Sequence, residues 1–173
     1  MRLSRDRSRS ARYTVDVRPS VYLETSVVSY LGARPSRDLV TAARQQITHE
    51  WWLRRRPQFD VYVSELVRAE AAAGDPDAVI RRGSFIRDLR SLDVASNATA
   101  LARAILTEAR RPPRAGADAL HVAIAACHGI EYLLTWNLTH IANAELRPVL
   151  EAACRKSGYE PAVMCTPDEL MGD

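Results

Sequence analysis

Apolar and polar positions along this chain change period repeatedly, and each change marks an element. "VYLE" (21–24) is a short apolar run ending on a carboxylate and reads as a buried strand. "TSVVSYLG" (25–32) has the spacing of a helix that stops at Gly32. After the breaker "RPSRD", Leu39, Ala42, Ala43, Ile47 and Trp51 recur at helical intervals toward Arg55, and Pro57 ends the run. "FDVYVS" (59–64) alternates as a strand does, and "ELVRAEAAAG" (65–74) is helical until Gly74. Asp75-Pro76 is a cap followed by proline at the first helical position. "SLDVAS" (91–96) reads as a brief strand, with Ser96 or Asn97 placed to cap "ATALARAILTEAR". Pro112-Pro113 separates that helix from "AGADALHVAIAACHG", which is apolar nearly all round and is expected at the centre of the molecule. "IEYLLT" (130–135) is a strand, "NLTHIA" (137–142) a helical turn, "NAELRPVLEAACRKSG" a last helix and "PAVMCT" (161–166) a final strand.

Strands alternate with helices throughout, and parallel neighbours need such crossovers. The pattern predicts one three-layer α/β/α domain around a central, mostly parallel sheet of about four to five strands. It spans residues 20–173, with no internal repeat and no linker.

Composition changes this picture only at the N-terminus. The formal net charge is +3, but residues 1–20 hold six arginines against Asp6 and Asp16, so the other 153 residues sum to −1. The folded part is therefore not basic. "MRLSRDRSRSAR" is rich in Ser and Arg and poor in apolar residues, so 1–19 reads as a disordered basic arm. No run reaches the roughly 18 apolar residues of a membrane span, and the N-terminus lacks a signal-peptide apolar core, so a cytoplasmic protein is expected. Cys127, Cys154 and Cys165 lack C-x-x-C spacing, which argues against a disulfide frame or a zinc site.

Candidate chemistry lies in the acids. In an open α/β sheet, ligands sit beyond the carboxyl ends of the strands. Glu24 ends the first strand, Asn137 follows a later one, and Asp118 opens the central helix leading into it. Glu70 falls on the apolar stripe of its helix with Leu66, Val67 and Ala71, where a carboxylate is costly unless compensated. Each has an ordinary role available: Glu24 and Asp118 suit helix N-termini, Asn137 suits a cap, and Glu70 suits an arginine partner. Glu65 is five positions from Glu70, about 140° around a helix, and cannot share its face. With Ser64 as the cap, Glu65 is a first-turn acid. Three carboxylates in one pocket would raise one another's pKa, and a divalent cation removes the conflict. All-oxygen ligands favour Mg²⁺ or Mn²⁺. Such a cation suits phosphodiester hydrolysis.

Four segments, "YLETSVVSYL", "VSELVRAEAAAGDP", "ADALHVAIAA" and "YLLTWNLTHIAN", in this order, make the chain from about Val21 to Leu170 resemble PIN-domain proteins, in particular the VapC-like toxins of type II toxin–antitoxin systems. The resemblance implies a PIN-like fold and a Mg²⁺- or Mn²⁺-dependent endoribonuclease. It also implies silencing by a cognate antitoxin, and often a homodimer. Its acids fall on Glu24, Glu70, Asp118 and, at the fourth position, Asn137, as catalytic and metal-binding residues. Thr25 and Thr135 match hydroxyl residues that support the first acid. Glu24 stands where Asp is usual and Asn137 where many relatives carry Asp, which points to a single ion or two ions held unequally. His121, one turn after Asp118, is read as a supporting or core histidine, because a hard cation prefers oxygen. His128 and His140 read as surface or packing residues. RNA binding needs local positive charge. Arg110, Arg111 and Arg114, just before the Asp118 helix, are best placed to supply it. Two further readings stay open: a PIN-like module that binds RNA or a partner without cleaving, and a nuclease directed at DNA.

Overall fold

A computed structural model describes residues 18–172; most of the expected N-terminal arm, residues 1–17, lies outside the described residues. Five strands form one sheet: β1 (Ser20–Leu23), β2 (Asp60–Ser64), β3 (Arg90–Leu92), β4 (Tyr132–Leu134) and β5 (Val163–Cys165). Their order is β3-β2-β1-β4-β5, and every pairing is parallel. β1 is central, with Tyr22 opposite Tyr62 on one side and Leu133 on the other.

The crossovers supply seven α-helices: α1 (Thr25–Gly32), α2 (Leu39–Arg54), α3 (Glu65–Ala71), α4 (Pro76–Ile86), α5 (Ser96–Glu108), α6 (Gly116–Cys127) and α7 (Arg147–Lys156). The first four pack mainly on one another and the last three likewise, so each group covers one face of the sheet. Buried on both sides, the central strands are continuously apolar, as parallel strands must be: Val21, Tyr22, Leu23, Leu133 and Leu134 are fully enclosed. α6 is the central helix the sequence predicts, with everything from His121 to Ala126 buried. Enclosing Ile124 alone is worth about 1.5–3 kcal/mol.

Ser64 and Asp75 cap α3 and α4 through their side chains, as expected. α5 departs from expectation: Ala95 occupies its cap position, and Asn97 instead bonds the next N–H, of Ala98. α2 departs further. Its buried face is Gln45, Thr48 and Trp51, whereas Leu39 and Val40 are exposed. The polar pair is buried because it is satisfied: Gln45 spans Ser36 N–H and Arg34 C=O, and Thr48 accepts from Trp136 Nε1 at 2.7 Å.

Candidate active site

The chain builds outward from β1 through β2 to β3, then returns to add β4 and β5 on the other side. This reversal between β1 and β4 is the topological switch point, where open α/β sheets form their ligand crevice. Glu24 is the residue after β1, and its N–H donates to Leu134 C=O at 3.0 Å, fixing it at the end of β4.

Glu24 is 6% exposed, and its carboxylate is held by two hydroxyls. Thr135 Oγ1 donates to Oε2 at 2.7 Å and Ser26 donates to the same oxygen. Each hydroxyl also accepts a backbone N–H, Thr135 from Asn137 at 2.9 Å and Ser26 from Trp136 at 2.8 Å. The acid is thereby bound to the loop after β4, and Oε1 is left toward His121, 3.9 Å from its Nε2.

Glu70 reaches the same crevice from α3. Its Oε2 accepts from Thr25 Oγ1 and lies 3.1 Å from His121 Nε2. Of the two hydroxyl residues singled out in the sequence, Thr135 thus bonds the first acid and Thr25 the second. A buried chain of hydrogen bonds stands behind His121. Ser64 Oγ accepts from Val67 N–H at 3.1 Å and shares a hydrogen bond with Tyr22 Oη, 2.7 Å away. The Glu70 carboxylate only accepts, so His121 carries its ring proton on Nε2, Nδ1 accepts from Tyr22 O–H at 2.7 Å, and Tyr22 Oη in turn accepts from Ser64. The bond from His121 is the main cause that holds the Glu70 carboxyl below its usual range, against partial burial. Burial raises the Tyr22 hydroxyl strongly and keeps it a neutral donor.

Asp118, in the first turn of α6, pairs with Asn137, whose Nδ2 donates to its Oδ1 at 2.8 Å. Burial pushes the Asp118 carboxyl above its usual range, and the charge of Glu24 adds to this. The Asn137 oxygen that the sequence reading offers to a metal is turned to His140 N–H at 3.0 Å, capping the turn over 138–142. Asn137 acts here as a donor to Asp118.

One ligand atom each from Glu24, Glu70 and His121 lies within 4.8 Å of the others, close enough to share a cation. Two carboxylates and an imidazole are a donor set that fits a divalent ion, on condition that His121 gives up its Nε2 bond to Glu70 and carries its ring proton on Nδ1, toward Tyr22. Asp118 and Asn137 adjoin this set as a separate pair. His121 is thus the neighbour that sequence reasoning placed only as support; its spacing from Asp118 was the available signal. Of the three arginines, Arg111 alone makes a side-chain hydrogen bond among the described residues, to His140 Nδ1 at 2.6 Å. Arg110 and Arg114 are exposed.

The fold is that of a PIN-like domain, and solved structures share it. The chain aligns with VapC20 of Mycobacterium tuberculosis, described as a sarcin–ricin loop cleaving toxin, at a TM-score of 0.55 and 19% identity, over 69% of this chain and 92% of that one. With VapBC2 of Rickettsia felis, bound to a DNA fragment from its promoter, the TM-score is 0.52 at 13% identity, over 84% and 97% of the two chains. At these identities the likeness is one of fold, and the VapC-like PIN fold expected from the four segments is what the chain has. Neither a family model nor a curated protein matches it.

Proposed function

We propose that this chain is a divalent-metal-dependent endoribonuclease hydrolysing RNA phosphodiester bonds, the toxin of a type II toxin–antitoxin pair. What carries the reading is the meeting of Glu24, Glu70 and His121 within 4.8 Å at the switch point, with Asp118 beside them. A divalent cation held there supplies Lewis-acid stabilisation of charge on the scissile phosphate. Glu24 and Glu70 are held for that task by Thr135, Ser26, Thr25 and His121. Asp118 Oδ1 is fixed by Asn137, which leaves Oδ2 to take a proton from the attacking water.

The partners in this reading are an RNA substrate in the cytoplasm and a small antitoxin that covers the crevice; a homodimer and the basic arm over 1–19 belong to the same proposal. Among the described residues no helix is long and apolar enough to cross a membrane. The VapBC2 likeness supports a protein partner of the antitoxin kind.

The test is cleavage of a mixed RNA pool with Mg²⁺ or Mn²⁺, alone and against competing DNA. Cleavage abolished by EDTA and by Asp118→Asn is expected. Cleavage indifferent to both would overturn the metal mechanism. A second reading, an RNA- or partner-binding module without hydrolysis, is favoured by the Asn137 oxygen facing His140 N–H. Absence of cleavage with every metal, with RNA binding retained, would select it.

A further inference from the structure

The contact between Arg111 and His140 has no part in the metal set, yet both line a pocket with Asp118. Arginine only donates, so His140 Nδ1 accepts and its ring proton resides on Nε2. His140 therefore holds the guanidinium without neutralising it. Among the described residues Arg111 has no carboxylate within salt-bridge distance, although Asp118 lines the same pocket.

The backbone delivers this side chain deliberately. Arg110 takes a left-handed conformation, φ 50°, which is unfavourable for a residue with a side chain. With it, Arg111 N–H closes back on Leu106 C=O at 2.9 Å to end α5, and Pro112 restricts Arg111 from the other side. Arg111 is half-buried, in contrast to exposed Arg110 and Arg114.

We infer that Arg111, aimed by His140, binds a phosphate of the RNA strand beside the metal set, and that His140 is its positioning residue. This rests on the endoribonuclease reading. A guanidinium without a carboxylate partner, in a pocket it shares with Asp118, is suited to a phosphate group that must approach the acids, because it offsets their repulsion and bonds two oxygens at once.

The experiment measures kcat/KM for a short single-stranded RNA with saturating Mn²⁺ over a range of KCl, with Mn²⁺ binding to the RNA-free protein as the control. Arg111→Ala is expected to lower kcat/KM roughly 10- to 100-fold. It should also flatten the log–log salt slope by about 0.7, one phosphate contact on a single strand. Mn²⁺ affinity should stay within about twofold, since no ligand is touched. Asn Oδ1 occupies the place of His Nδ1, so His140→Asn should keep most of the rate. His140→Asp should pair with Arg111 and reproduce the Arg111→Ala slope. Equal losses in Arg111→Ala and Arg114→Ala, an unchanged salt slope, or His140→Asp matching His140→Asn would each overturn the inference while wild-type cleavage stands. If the wild-type protein cleaves no RNA with any metal, the endoribonuclease reading itself fails and this inference with it.

Discussion

The carboxylate of Glu24 accepts a 2.7 Å hydrogen bond from the hydroxyl of Thr135, 111 positions further along the chain, and both groups are buried. The bond joins the ends of β1 and β4 across the switch point. Thr135→Val keeps the shape and removes the donor. The acid would keep only Ser26, and a loss of about 1.5–3 kcal/mol in urea denaturation is expected, with weaker Mn²⁺ binding.

Tyr22 is the middle of the chain from Ser64 to His121. Tyr22→Phe leaves His121 Nδ1 without its donor and Ser64 without its acceptor in an enclosed space. The cost should be about 1–3 kcal/mol. Nitrogen NMR of the His121 ring should show the two tautomers mixing where the wild-type protein shows one.

Asp118 has the opposite energetics. Its carboxyl is raised by burial, so the folded state keeps a proton that the unfolded state releases, and ionising this group costs stability as pH climbs through that window. Asp118→Asn retains an oxygen for Asn137 and removes the charge. The variant should be no less stable than wild type at neutral pH, while cleavage is lost. A destabilised Asp118→Asn protein would contradict the assignment.

Glu70 is lowered, first by its bond from His121. The sign is reversed: its contribution is complete above the unfolded carboxylate range and is lost as pH falls through the lowered folded value. Glu70→Gln should therefore lower stability at neutral pH, leave the acid limit nearly unchanged, and so flatten the acid side of the stability–pH curve.

Gly32 ends α1 where α4 crosses it. A Cβ there would lie 2.9 Å from Arg82 N, a backbone atom that cannot swing aside. Gly32→Ala should cost about 1–3 kcal/mol, read as a lowered melting temperature.

Much of this was legible along the chain. The alternation of strand and helix, the caps at Ser64 and Asp75, the burial of α6 and the acids at strand ends all follow from local periodicity. Helix rotation also separates the two acids of α3, Glu70 lying beside His121 and Glu65 being exposed. α2 was less legible, because its buried face is chosen by the partners of Gln45 and Thr48, and those lie in loops 9 to 88 positions away. The roles of His121 and His140 were equally hidden, since an imidazole's role depends on what meets each nitrogen.

The sequence by itself determined which segments are strands and helices and which acids stand at their ends, because propensity, caps and apolar spacing act within a few residues. Only the tertiary structure decided that β1 lies beside β4, that Glu24 and Glu70 reach one imidazole, that Asn137 turns its amide toward Asp118, and that Arg111 rests on His140. Strand order and side-chain direction are set by burial and hydrogen bonding between groups far apart in the chain, and these exist only once the chain has closed on itself.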